Sequence, residues 1–369
     1  MRQFFFNLRG NSLLRFIDRY GFIPIIGLLG LFKSKRDIPQ KIESIGIILL
    51  AAIGDSIVAL APLMDVAKKY PQAKITLFAT KENAGVFELF PHDFTVEIVS
   101  LKNIFRTISI IRKGCFDVLV DCSQWVRISA ILSFFSAARF TIGFNTAKQY
   151  RHFVYDDCVA HSNAIHEIDN YRNLVKAIGV DSISLPRAVI NDEARQKIAA
   201  FKFSNYVVFH PWPSGYKGEL KRWPEENWVE LARYILGLGY TLIITGGRGD
   251  GAGTQELLAK INHERAMAFV GHILMETAAV LEKAKLLIVV NTGIMHLAAA
   301  LNVPLVALHG PTNPKRWGPL GDKSAMLVPN SGQHGYLNLG FEYPRNVVDC
   351  MRYISAVEVE EAVARFLTH

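Results

Sequence analysis

Short apolar runs alternate with longer amphipathic segments along most of this chain, and the alternation occurs twice. From residue 44, runs at 45–50, 74–79, 94–99, 118–121 and 140–143 read as strands. They are separated by helix-period segments at 56–70, 104–112 and 128–137. A helix over 166–178 closes this series, with Pro62 bending the first helix. After a linker-like stretch at 182–192 and a helix at 193–201, the pattern restarts. Strands are predicted at 206–209, 241–245, 266–269, 286–290 and 305–308, with helices at 225–236, 254–261, 275–284 and 295–301, and a last helix at 356–367. Strand–helix alternation of this kind implies parallel sheets covered on both faces, so the fold class is α/β with two similar halves. At 369 residues, two domains also fit the length. The boundaries drawn are an arm at 1–41, a first domain at 42–190, a second at 191–345 and a terminal helix at 346–369. A cleft between two such domains, faced by the carboxyl ends of both sheets, is the default ligand site.

Charge is concentrated at one end. Residues 1–41 hold Arg2, Arg9, Arg15, Arg19, Lys33, Lys35, Arg36 and Lys41 against Asp18 and Asp37, which is six of the eight net positive charges. The body is close to neutral, which argues against nucleic acid as a partner. The arm is also apolar: Phe4, Phe5 and Phe6 open it, and residues 20–32 are an uncharged run interrupted by Pro24. Such a run is too short to span a bilayer, and it lacks the cleavage site of a signal peptide. Basic residues flanking apolar ones suit a helix lying in a membrane interface. An extra helical hairpin packed on the body is the alternative. The four cysteines are scattered, with no Cys-x-x-Cys pair, so structural zinc is not expected and a reducing compartment is.

The segment 45–57 places a carboxylate at a strand end. An apolar strand is followed by Gly54, which permits a tight turn, and then by Asp55 at the mouth of a helix. A carboxylate there is positioned to take a proton from a bound hydroxyl, or simply to cap the helix.

Three segments of the second half also fall at strand ends. In 210–225, a loop with Ser214, Gly215 and Gly218 precedes Lys221, which can reach a bound anion or lie solvated. In 289–298, Asn291, Thr292 and Gly293 turn into an apolar helix whose N-terminal amides and dipole attract a phosphate. His296, one turn in, is placed to donate to that phosphate or to serve as a core histidine. In 309–318, Gly310 and Thr312 line the same pocket or form a plain turn. Gly246 and Gly247 follow another strand, and the loop 247–252 reads as a wall on the nucleoside side. There is no Asp-x-Asp triplet to hold a metal on a diphosphate, so leaving-group charge falls to Lys221 and helix N-termini.

Together, Ile53-Gly54-Asp55, Lys221-Arg222-Trp223-Pro224, Gly246-Gly247, Asn291-Thr292-Gly293-Ile294-Met295-His296 and Gly310-Pro311-Thr312 resemble glycosyltransferase family 9, the ADP-heptose:lipopolysaccharide heptosyltransferases, in order and spacing over residues 44–320. The resemblance implies a GT-B fold, two Rossmann-like domains facing across a cleft, with the terminal helix crossing back to the first domain. It implies an inverting enzyme without a metal or other cofactor. Asp55 would be the general base, Lys221 would contact the donor diphosphate, and Thr292, Gly293 and His296 would hold it, with Thr312 completing the donor pocket. Family members commonly carry Asp where this chain has Asn291.

The resemblance implies a nucleotide-sugar donor and a lipid-linked saccharide acceptor as partners, and the composition of residues 1–41, which lie outside the family's usual core, adds the inner face of the cytoplasmic membrane. Two other functions remain open on sequence: a nucleotide-sugar epimerase on the same fold, and a catalytically degenerate sugar-binding protein.

Overall fold

The computed structural model describes residues 16–124, 126–215, 217–331, 333–339, 343 and 349–367. It divides into two compact units, the first comprising residues up to 87 together with 91–185, and the second 88–90 together with the residues from 186 onward.

The first unit begins with a π-helical turn, Ile17–Gly21, that runs into α1 (Phe22–Leu31). The chain continues through β1 (Ser44–Ile48), α2 (Ile53–Lys69), β2 (Lys74–Ala79), α3 (Ala84–Phe87), β3 (Thr95–Ile98), α4 (Ile104–Lys113), β4 (Val118–Asp121), α5 (Arg127–Phe135), β5 (Phe140–Asn145), β6 (Asp157–Ala160) and α6 (Glu167–Lys176). All pairings are parallel, in the order β3-β2-β1-β4-β5-β6. The helix α2 runs on through Pro62.

The second unit repeats the plan. Its elements are α7 (Asp192–Ala199), β7 (Tyr206–His210), α8 (Glu225–Gly237), β8 (Thr241–Gly246), α9 (Gly251–Ile261), β9 (Ala266–Val270), α10 (Leu274–Glu282), β10 (Leu286–Val290), α11 (Gly293–Ala300), β11 (Leu305–Leu308), α12 (Pro314–Trp317), β12 (Ser324–Leu327) and α13 (Ala356–Leu367). Its parallel sheet runs β12-β11-β10-β7-β8-β9. Read from the other edge, this is the same order as the first. In each sheet the direction of winding reverses between the first and fourth strands of the unit, β1/β4 and β7/β10. In open α/β sheets, ligands bind at that reversal, outside the carboxyl ends of the strands.

Three features differ from the sequence reading. Residues 16–41 are not a separate arm but part of the first unit. Ile26 is fully buried, Asp18 is buried against Arg127, and Lys33 and Arg36 both bind Asp156. Residues 1–15, with Phe4, Phe5 and Phe6, lie outside the described residues. The last helix, expected to cross back to the first half, packs in the second unit. Val359, Ala362 and Val363 join the core built by α8 and β10, alongside Trp228, Leu231 and Ile288. The edge strands β6 and β12 were not anticipated. Both are short and only partly buried, so neither carries a continuous apolar run.

Candidate active site

Asp55 stands in the first turn of α2, and only 5% of it is exposed. The helix begins at Ile53, earlier than expected, with Ala52 as its cap residue. The Asp55 carboxylate reaches back to accept the Ala52 N–H at Oδ2, 3.3 Å away. It therefore does serve the helix end, as the third-position half of a capping box. Its other oxygen, Oδ1, accepts from Gln124 Nε2 at 3.1 Å. Gln124 follows β4 and Asp55 follows β1, so the pair straddles the winding reversal of the first sheet. These two hydrogen bonds reach the carboxylate from opposite sides and orient it.

Behind Gln124 lies a buried polar chain. Its side-chain nitrogen also donates to the Tyr171 hydroxyl at 3.0 Å, and its backbone carbonyl accepts from Thr146 Oγ1. Thr146 Oγ1 lies 3.0 Å from His161 Nδ1, and His161 Nε2 lies 3.1 Å from Glu167 Oε1. Burial, with the charges of Asp55 and Glu167 adding to it, pushes the Tyr171 hydroxyl well above its ordinary range, so it stays protonated.

In the second unit the reversal lies between β7 and β10. After β10 come Asn291, Thr292 and Gly293. Thr292 is the cap residue of α11 in extended conformation, and its hydroxyl makes no capping bond. The Thr292 Oγ1 atom is buried and has no hydrogen-bond partner among the described residues. Gly293 opens the helix. His296, one turn in, is buried and packs edge-on to Trp317 with ring centroids 6.3 Å apart. Asn291 is buried and donates its side-chain N–H to the Trp317 carbonyl at 3.3 Å. Its Nδ2 also lies 3.5 Å from His309 Nε2.

His309, the last residue before Gly310, is the hub of this cluster. It is fully buried, and Thr312 Oγ1 sits 3.5 Å from its Nδ1. Burial pushes its imidazole down to about 3, helped by the charges of His296 and Lys221, so it is neutral at ordinary pH. Lys221, at the end of the 3-10 turn Gly218–Lys221, is thus within electrostatic reach of His309.

The other anticipated residues are arranged differently. Ser214 is exposed in the loop after β7. Gly246 ends β8, and Gly247 donates its N–H to Asp250 Oδ2 at 2.7 Å. A Cβ on Gly246 would sit 2.9 Å from Trp212 Cδ1, so this glycine makes room for the indole. The Trp212 Nε1 is itself buried without a hydrogen-bond partner among the described residues. Gly310 is small for a packing reason, since a Cβ there would run into Met351 Sδ. His210, at the end of β7, is pushed down to about 4 by burial, against a hydrogen bond to Thr245. Among the described residues, no three His, Cys, Asp or Glu side chains gather in a way that could hold a metal ion.

Sequence reasoning missed Gln124, His309, Trp212 and Trp317 as site members. Each except Gln124 stands in a segment already singled out. For Gln124 the available signal was its position just after an apolar strand ending in Asp121.

Two Rossmann-like units of identical winding, each with its polar groups at the reversal point, define an α/β protein of the GT-B class. Residues 104–335 match the family model described as glycosyltransferase family 9 (heptosyltransferase), which is more than half of the chain. The chain belongs to that family. Over 126 residues it is 36% identical to lipopolysaccharide heptosyltransferase 2 of Escherichia coli (strain K12), covering 33% of this chain and 36% of that protein. The match thus spans little more than a third of that relative's length. Lipopolysaccharide heptosyltransferase 3 of Escherichia coli is 24% identical over 336 residues, 84% of this chain and 94% of that protein. Among solved structures, E. coli ADP-heptose lps heptosyltransferase II superposes with a TM-score of 0.74 at 21% identity, covering 88% of this chain and 98% of that one.

Proposed function

We propose that the protein is an inverting, metal-independent glycosyltransferase. It moves heptose, or a related sugar, from a nucleotide-sugar donor of the ADP-heptose kind to a hydroxyl of a lipopolysaccharide core or another lipid-linked saccharide. The relatives named above are heptosyltransferases of lipopolysaccharide, and a solved relative is described with ADP-heptose. One observation carries the reading. A carboxylate oriented by Gln124 and the Ala52 N–H ends one switch point, while a hydroxyl at a helix N-terminus, buried and without a partner among the described residues, ends the other, with His296 one turn further on.

In this mechanism Asp55 accepts the proton of the acceptor hydroxyl as its oxygen attacks the anomeric carbon. The new C–O bond forms on the face opposite the breaking bond to the diphosphate, and the nucleoside diphosphate leaves with the electron pair. A sugar hydroxyl is a weak nucleophile, so base assistance is worth roughly 10²–10⁴ in rate. The departing anion meets Lys221, the Thr292 hydroxyl, His296 and the N-terminal amides of α11, donors that are already oriented and need no reorganisation. The acceptor is lipid-linked, so the protein works at the inner face of the cytoplasmic membrane as a peripheral enzyme. No helix among the described residues is long and apolar enough to cross a bilayer.

The test is nucleoside-diphosphate release and product mass with ADP-heptose and a delipidated core saccharide. Transfer that requires both partners supports the reading. Turnover of donor without acceptor, or an Asp55→Asn variant as fast as the parent, overturns it.

A further inference from the structure

The helix α1 has no charged residue and no polar side chain, yet it lies on the surface. One stripe faces inward: Ile26 is fully buried, and Gly30 lies so close to the 3-10 turn Arg151–Val154 that a Cβ on it would sit 2.8 Å from Phe153 Cβ. The opposite stripe is equally apolar. Ile25, Leu28, Leu31 and Phe32 follow helical spacing and are exposed, Leu31 by 81% and Phe32 by 75%. Large side chains so exposed on consecutive turns form a patch rather than scattered single residues.

The patch extends beyond the helix. Phe16 and Tyr20, exposed and with ring centroids 4.8 Å apart, continue it at the preceding turn. Tyr150 and Phe153, stacked at 6.1 Å, adjoin it across Gly30. Arg127 ties the turn before α1 to the segment preceding the 3-10 turn. It binds the Asp18 carboxylate through Nη1 at 3.4 Å, the Gln149 carbonyl through Nε and the Lys148 carbonyl through Nη2, both at 3.1 Å.

Cations lie around this face. Arg19 stands over the Tyr20 ring at 5.5 Å, Lys148 and Lys35 are exposed, and the Lys35 charge reaches His152 beside Phe153. Of the nearby carboxylates, Asp18 is paired with Arg127, and Asp156 with Lys33 and Arg36. Asp37 and Asp157 are exposed. In the sequence, residues 1–15 carry three arginines and no acid.

We propose that this composite face of the first unit seats on an anionic bilayer surface. Leu28, Leu31 and Phe32 enter the headgroup–acyl boundary, and Arg19, Lys35 and Lys148 meet lipid phosphates. An in-plane apolar stripe with basic flanks is the geometry of a monotopic attachment. The attachment is a rigid facet of the folded unit rather than a flexible tether, because Ile26, Gly30 and Asp18 belong to the packing of the unit. The inference rests on the proposed lipid-linked acceptor for its purpose, but lipid binding is measured with neither donor nor acceptor present, so failure of one is distinguishable from failure of the other.

The experiment is co-sedimentation of the full chain with phosphatidylcholine vesicles, with and without phosphatidylglycerol. The parent should pellet with the anionic vesicles. Combining Leu28→Gln, Leu31→Gln and Phe32→Gln should weaken partitioning by at least about tenfold with no loss of thermal stability, since these side chains are exposed. Combining Arg19→Gln with Lys35→Gln should weaken it several-fold on anionic vesicles, and less so at high salt. A glutamine variant that pellets like the parent, or a parent that stays in the supernatant, overturns the proposal. So does a parent that binds no vesicle but forms a dimer that the glutamine substitutions dissolve, which would make a second copy the occupant.

Discussion

Gln124 Nε2 lies 3.1 Å from Asp55 Oδ1, joining two residues 69 positions apart at the winding reversal of one sheet. The same nitrogen is 3.0 Å from the Tyr171 hydroxyl, and the Ala52 N–H holds the other carboxylate oxygen. The carboxylate is thus oriented from two sides by groups that are themselves fixed. An acid–base side chain whose supporting partners are locked loses little by way of misdirected rotamers, which is how orientation becomes rate.

Gln124→Leu should therefore act on turnover more than on donor binding. The substitution keeps the volume but removes both hydrogen bonds. Turnover should fall by about tenfold or more, while the donor KM changes little. Initial rates at varied donor and acceptor concentrations check this. A variant with parental kcat would mean that the amide is structural only. A loss of roughly 1–3 kcal/mol in unfolding free energy is expected alongside, because Tyr171 also loses a buried partner.

The buried histidines of the second unit should make it acid-sensitive. His309 is pushed down to about 3 and His210 to about 4, both by burial. Their unfolded values are near 6.5, so below that pH the unfolded chain binds protons that the folded unit refuses. Stability is then full above about pH 6.5 and falls as pH drops toward the folded values, by up to about 1.4 kcal/mol per pH unit for each histidine. Thermal melts between pH 7 and 4 should show the decline, and His309→Gln should flatten it relative to the parent. Equal slopes for the two proteins would count against a neutral buried His309.

Asp18 ties the chain before α1 to the first unit, and removing it should cost more than a surface pair would. Asp18 and Arg127 are both buried. Burial raises the Asp18 carboxyl and Arg127 opposes the rise, while burial likewise lowers Arg127. Asp18→Ala would leave a guanidinium enclosed without its carboxylate and strip the acceptor from the N–H groups of Arg127 and Ile128. A loss of about 3 kcal/mol is expected in denaturant unfolding. A change of a few tenths would mean that the segment packs on its apolar contacts alone.

Much of this fold was legible because parallel strands covered on both faces carry near-continuous apolar runs. Residues 45–48 and 286–290 could hardly be anything else. The edge strands β6 and β12 escaped because one side of an edge strand needs no burial, and Asp157 or Ser324 is tolerated there. Asp55 and Thr292 were visible as residues that follow such runs. Gln124 also follows such a run, but its meaning lies in a contact across the sheet that no local pattern encodes. The same holds for residues 16–36. Their composition announced an apolar, basic segment, but only tertiary contacts reveal that Lys33 and Arg36 are committed to Asp156. Burial works to raise that carboxyl, yet Arg36, Lys33 and Thr141 outweigh it and hold it below the usual range.

Thr292 offers the cleanest separation of a binding role from a structural one. Its hydroxyl is buried, caps nothing and has no partner among the described residues. A polar atom in that state costs free energy unless a ligand supplies the missing bond. Thr292→Val keeps the shape and removes the hydroxyl, so the ligand-free protein should be no less stable, and its melting temperature should hold or rise. Affinity for a nucleoside diphosphate should nevertheless drop by roughly tenfold to a hundredfold, the worth of one hydrogen bond to a charged group. Calorimetric titration with ADP on parent and variant measures this directly. Unchanged affinity would remove Thr292 from the donor site, and a large loss of stability would show that the hydroxyl serves the fold.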